Sequence, residues 1–194
     1  TIFGVQVAQA KGTSAQELHQ IISELHALPD EIEKVLEAVR PDIEKAAKKY
    51  TSYEHALFLG RDTLHPVALE GALKLKEVSY IHAEGYAGGE LKHGPLALID
   101  DRFFEVMLIQ DNWLMDKSLS NLAEINARGG HVLVITNSNK QIDAEIVIHI
   151  PTKLELLAPV VMNVAQQLLA YYIAVARGND VDQPRNLAKS VTVE

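Results

Sequence analysis

Cysteine is absent from the 194 residues. That excludes disulfides, cysteine-based metal sites and any thiol nucleophile. Positive charge is scarce: 18 Lys and Arg face 26 Asp and Glu, for a net charge of −8. Since no basic run is interleaved with aromatics, neither nucleic acid nor an anionic membrane is an electrostatically suited partner. No apolar stretch of the sequence approaches the roughly 20 residues that span a bilayer, and the opening TIFGVQVAQAKG lacks the basic region and apolar core of a signal peptide. A cytoplasmic protein is expected. What is plentiful is apolar content, 47% of residues, enough for a full core in one compact lobe or one lobe plus an appendage.

Between Ser14 and Tyr50, apolar residues fall at helical spacing: Leu18, Ile21, Ile22 and Leu25, then Ile32, Val35, Leu36 and Val39. With Pro29-Asp30 between the groups, the pattern predicts two helices. The period then changes. HALFLG (55–60), YIHAEGY (80–86), FEVMLIQ (104–110), HVLVIT (131–136) and EIVIHI (145–150) suit buried strands, and helical stretches lie near 64–79, 113–128 and 155–177. Strands alternating with helices need crossover connections, so the class is an α/β three-layer αβα sandwich around a mainly parallel five-stranded sheet. Trp113, Leu114 and Met115, at the start of a helix, read as core. Arg177-Gly178 is a helix stop, after which a polar tail begins. Three segments result: helical residues 1–50, a lobe over 51–178, and a tail over 179–194.

Ligands of such sheets bind beyond the carboxyl ends of the strands, near the point where strand order reverses. The loops to watch are Gly60–His65, Gln110–Trp113 and Thr136–Asn139. None has the Ser/Thr-rich character of a phosphate cradle at a helix N-terminus, and Thr136-Asn137-Ser138-Asn139 reads as a turn and helix cap.

Two stretches are more specific than any spacing: LFLGRDTLHPVALEGALKLKEVSYIHAEGYAGGELKHGPLALID (57–100) and the tail DVDQPRNLAKSVTVE (180–194). Both resemble the C-terminal isomerase region of the glucosamine-6-phosphate synthases, the glutamine:fructose-6-phosphate aminotransferases. The resemblance covers about the last 140 residues well, and implies the second of that family's two sugar-isomerase (SIS) lobes. The family's serine- and threonine-rich phosphate loop belongs to its first lobe, of which the resemblance implies only the closing helical segment and the linker, in residues 1–50. Its glutaminase domain needs a cysteine, so glutamine hydrolysis is excluded for this stretch.

Taken alone, Lys74 and Glu77, three apart on a predicted helix, are a possible surface ion pair, with Glu70 a competing partner at i,i+4. His93, beside Gly94-Pro95, can carry protons near neutral pH or be an ordinary surface residue. A tail lysine such as Lys189 is normally solvated. The resemblance assigns roles to all four. Glu77 matches the carboxylate that moves a proton between C1 and C2 of the open-chain sugar, and Lys74 the lysine that assists at the neighbouring hydroxyl. His93 matches the histidine that opens the fructose ring and reaches the site from the partner subunit. Lys189 matches the Schiff-base lysine and Ala188 a backbone contact to the sugar. Arg185 and Asn186 read as residues that pin the tail. Gly88-Gly89 stands where the family more often has Ala-Gly, a change that frees the backbone before His93.

The expected activity is therefore conversion of fructose-6-phosphate and ammonia into glucosamine-6-phosphate, with no cofactor and no metal. A homodimer is implied, working with a first SIS lobe and a glutaminase domain, and the stretch alone is expected to be inactive. The alternative is a non-catalytic SIS module that binds phosphosugar or supplies a dimer surface.

Overall fold

The computed structural model describes residues 2–186. Five strands, β1 (His55–Gly60), β2 (His82–Ala87), β3 (Phe103–Ile109), β4 (Val132–Thr136) and β5 (Ile146–His149), form one sheet in the order β2-β1-β3-β4-β5. Every pairing is parallel. The three central strands are buried almost throughout, as β-branched and aliphatic runs must be when both faces are covered. The helices are α1 (Ile2–Ala10), α2 (Ala15–Lys49), α3 (Leu64–Ser79), α4 (Met115–Asn126) and α5 (Ala158–Ala176). The sandwich predicted from sequence is the fold observed.

One side of the sheet holds the larger core, where α2, α3 and α5 pack Val39, Ile43, Leu75, Val161 and Leu169 against Phe58, Val106 and Leu133. The other side holds a smaller one, where Met115, Leu122 and Ile125 of α4 meet Leu59, Met107 and Val134. Gly71 permits the close crossing of α3 and α5, because a Cβ there would collide with the Gln166 amide. Near the amino ends of the strands, Tyr50 stacks on Phe104 with ring centroids 4.5 Å apart, a contact worth about 1 kcal/mol.

Three expectations need correction. The two helices predicted across Ser14–Tyr50 are one, α2, which runs through Pro29 and Pro41. Proline removes a backbone donor and strains the turn before it. Here tertiary contacts compensate. Leu25 and Leu28 pack on the core, and Glu24 and Glu31 on either side of Pro29 tie the helix to the lobe: Thr152 Oγ1 donates to Glu31 Oε2 at 2.9 Å. Ser14 caps the start, accepting from the Glu17 amide at 3.2 Å while the Glu17 carboxylate returns to the Ser14 amide. The boundary drawn at residue 50 thus falls at the end of a helix whose last turns share the core of the lobe.

Secondly, α5 is by length and composition able to cross a membrane, with 19 residues at mean hydropathy 1.3, although no run in the sequence was read that way. It is instead packed inside the lobe against α2 and α3, and its apolar excess is explained by that burial. Thirdly, Trp113 is not core: it is 78% exposed, with Lys117 Nζ 5.9 Å from its ring centroid, while Leu114 and Met115 are buried as expected.

Candidate functional site

The outer face of α3 carries a row of charge at helical spacing. Lys74 Nζ donates to Glu77 Oε2 at 2.7 Å, and lies 3.7 Å from Glu70 Oε1. The row is legible as periodicity: positions 70, 74 and 77 lie on one stripe, while Ala68, Gly71, Ala72 and Leu75 face inward. The hydrogen bond from Lys74 to Glu77 is the main cause of a raised lysine pKa, outweighing partial burial, with Glu70 adding to it. Lys74 is therefore held as an ammonium, suited to stabilising negative charge and unsuited to taking a proton. Glu70, which the sequence offered only as a competing ion-pair partner, completes the row. Its signal was there in the i,i+4 spacing.

α3 ends in Tyr80, whose φ of 61° is left-handed. The tail is fastened to this end. Asn179 Nδ2 donates to the Val78 carbonyl at 3.0 Å, the Arg185 amide donates to Tyr80 Oη at 3.0 Å, and the Arg185 guanidinium lies 4.1 Å from the Tyr80 ring centroid. Arg185 pins the tail as expected. Lys189 and Ala188 lie outside the described residues.

His93 is exposed at the end of a 3-10 turn, Gly88–His93, that follows the carboxyl end of β2. α3 precedes β2 and runs the opposite way, so Glu77 sits near the amino end of that strand. Six strand residues separate the two levels, a length of about 20 Å at the usual rise. Within one chain the fold brings Glu70, Lys74, Glu77 and the root of the tail together, and leaves His93 apart from them.

The loops at the carboxyl ends of the strands border a separate cavity of about 760 Å³, closed on one side by α1 and the start of α2. Thr63, Gln110, Asn112, Trp113 and Asn137 line it, and its charged lining residues are Glu17, Glu24, Asp111 and Glu155. A phosphate would meet carboxylates there. The hydroxyls of the Thr136–Asn139 loop shape a local turn, with Thr136 Oγ1 accepting from the Ser138 amide at 3.0 Å and Ser138 Oγ from the Lys140 amide at 3.2 Å. This is the turn that was expected, though a loop and then β5 follow it, with no helix to cap. Glu24 also takes the amides of Glu155, Leu156 and Leu157 at 3.2 to 3.4 Å, so the start of α5 already holds a carboxylate. Among the described residues no cluster of three or more His, Asp or Glu is suited to a metal ion.

Comparison with known proteins bears on the family and the fold. A glutamine–fructose-6-phosphate aminotransferase (isomerizing) from Escherichia coli K12 is 48% identical over 192 residues, covering 97% of this chain and 31% of the relative. One from Idiomarina loihiensis is 46% identical over 191 residues, with 97% and 31% covered. The chain thus spans about a third of the length of the curated relatives it matches. The solved C-terminal domain of glucosamine-fructose-6-phosphate aminotransferase from Francisella tularensis matches with a TM-score of 0.87 and 39% identity, over 94% of this chain and 52% of that one. Residues 49–177, well over half of the chain and including all five strands, α3 and α5, match the SIS domain, and the chain belongs to that family.

Proposed function

We propose that these residues are the second SIS lobe of an enzyme that makes glucosamine-6-phosphate from fructose-6-phosphate and glutamine-derived ammonia. The observation that carries this reading is the Glu70, Lys74, Glu77 row on α3, with the root of the tail stitched to the end of the same helix. Glu77 is the base that takes a proton from one sugar carbon and returns it to the next. Lys74, held as an ammonium, stabilises the enolate-like oxygen formed between those steps. Lys189 condenses through its amine with the C2 carbonyl, expelling water, and Ala188 contributes a backbone contact. Lys189 lies four positions beyond Arg185, a reach of up to about 14 Å. That length supports a site bordering α3.

His93 acts as ring opener from a second subunit, a role favoured by the strand length that separates it from Glu77 in its own chain. The substrate phosphate is bound by a first lobe, since the cavity at the carboxyl ends of the strands is lined by carboxylates. Leu69 and Leu73, exposed beside the charged row, are suited to packing against that first lobe. In this reading residues 1–50 are the helical end of the first lobe and the linker, 51–178 form the second lobe and 179–194 complete the active site, in a cytoplasmic homodimer whose glutaminase domain supplies ammonia.

Borohydride reduction in the presence of fructose-6-phosphate, followed by peptide mass mapping, tests the assignment. A Lys189 adduct is expected when a first lobe is supplied, and none in the 194 residues alone. An adduct on another lysine, or none with both lobes present, overturns it. The alternative, a non-catalytic phosphosugar-binding or dimerisation module, draws no support from the carboxyl-end cavity, whose acidic lining disfavours phosphate. Aldose–ketose turnover in the two-lobed protein excludes it.

A further inference from the structure

A second cleft lies across the sheet from the α3 row, on the side covered by α4. Arg61 at the end of β1, Lys92 of the Gly88–His93 turn, and Lys117 of α4 line a space of about 230 Å³ together with Gly89, Ser120 and Asn121. Three cations converge here in a chain whose net charge is −8. Glu124 is the one carboxylate among the lining residues, and Lys92 Nζ engages it at 2.9 Å. Among the described residues no carboxylate pairs with Arg61 or with Lys117, whose Nζ lies 5.9 Å from the Trp113 ring centroid.

Arg61 is held by a neutral partner. The buried Asn121 presents Oδ1 to Arg61 Nε at 3.1 Å and to Nη2 at 2.7 Å, fixing the plane of the guanidinium without neutralising it. Gly88 makes room for this pair, because a Cβ there would lie 3.1 Å from Arg61 Cγ and 3.2 Å from Asn121 Oδ1. A Cβ on Gly89 would stand 3.6 Å from Nη1. Gly88 therefore lets the backbone lie against the oriented guanidinium, whereas a Cβ on Gly89 would make only an ordinary contact. Orienting Arg through Asn costs the desolvation of a buried amide, and the guanidinium gains no counter-charge in return.

We infer that this cleft binds a small tetrahedral oxyanion, namely phosphate or the phosphate group of a monoester. The donor set suits such a group: an oriented guanidinium, the Lys117 ammonium, the Lys92 ammonium shared with Glu124, and the Ser120 hydroxyl, on three separate segments. The volume is below the roughly 300 Å³ at which pockets begin to hold whole drug-sized ligands, so only the anionic group is enclosed. Lys92 adjoins His93 in the same turn, so an anion that draws Lys92 toward itself also restrains the segment bearing that histidine. The cleft does not depend on the role proposed for the α3 row.

Amide NMR of the 194-residue protein, titrated with sodium phosphate at constant ionic strength with sodium chloride as control, tests this. Saturable shifts are expected at Gly89, Ser120 and Asn121, with a Kd on the order of 1 mM, weakened about tenfold in Arg61→Gln and severalfold in Lys117→Ala. Lys117 is exposed, so its replacement reports on binding even if Arg61→Gln disturbs the fold. Lys74→Gln, on the other face of the sheet, should leave these shifts unchanged, which separates this cleft from the α3 site. Equal affinity for fructose-6-phosphate and inorganic phosphate would identify the phosphate group as the whole ligand. Tighter binding of the sugar phosphate would identify the monoester as the source, and either result supports the inference. Shifts that never saturate, that chloride reproduces, or that persist unchanged in Lys117→Ala overturn it.

Discussion

Glu77 and Glu105 are two carboxylates of one lobe with opposite surroundings. Glu77 lies on the outside of α3, half exposed, with the Lys74 ammonium at 2.7 Å. Glu105 lies inside β3, fully buried, and neither of its oxygens has a hydrogen-bond partner. Its Oε2 stands 3.0 Å from where a Gly130 Cβ would be, with Ile125 adjoining. Burial pushes its pKa up to about 7, and the negative charges of Glu145 and Asp100 add to the effect. Under the proposed function Glu77 is reachable and paired, whereas Glu105, buried without a partner among the described residues, is a cost to folding.

The comparison breaks most visibly at Glu77. In the two-lobed protein, Glu77→Gln is expected to lower isomerisation by about 10²- to 10⁴-fold, the usual contribution of a general base, while shifting stability by no more than about 0.5 kcal/mol. Steady-state rates and thermal unfolding of the same preparation give both numbers. A full-rate Glu77→Gln enzyme would reduce the row to a surface ion pair.

Glu105 should show the reverse. Its folded pKa lies above its unfolded value, so the folded state binds more protons than the unfolded state between the ordinary carboxylate pKa and about 7. Stability contributed by the protonated carboxyl is complete below pH 4 and falls as pH rises to about 7, a loss of about 3 kcal/mol in all. Glu105→Met, close in volume and without charge, should therefore stabilise the protein by about 3 kcal/mol at pH 8 and by far less at pH 4.5, with the rate per folded molecule unchanged. Urea unfolding across that range checks the slope. An unchanged pH dependence in Glu105→Met would mean that water or a conformational adjustment already solvates the group.

How far each region could be read in advance follows from the same contrast. The α3 row was legible because i,i+3 and i,i+4 spacing is local, and so were the five strands, whose apolar runs need no partner to be recognised. Glu105 passed for one polar residue in an apolar strand, because its isolation depends on Gly130 and Ile125, which arrive from the end of α4. The break expected at Pro29 was wrong for a related reason: proline's penalty is local, whereas the anchors Glu24 and Glu31 bond to residues more than a hundred positions away. Trp113 looked like core by composition, and only the loop geometry at the end of β3 turns it outward. Distance in sequence, more than subtlety of chemistry, hid the Arg61–Asn121 pair as well.

Glu24 is a third carboxylate and sharpens the contrast, being partly exposed like Glu77 yet employed in structure. Its two oxygens accept from three successive amides of the segment that leads into α5, so it anchors that entry from α2. Glu24→Gln keeps an acceptor but loses the charge that favours a helix N-terminus, and should cost about 1 kcal/mol, or a fall of about 3 °C in Tm for a chain of this size. Hydrogen exchange separates the anchor from a general loss of stability. Faster exchange confined to the amides of Glu155, Leu156 and Leu157 is expected in Glu24→Gln. Uniform acceleration over the lobe, or none at those amides, would mean that packing of Leu25 and Leu28 alone carries α2 past Pro29.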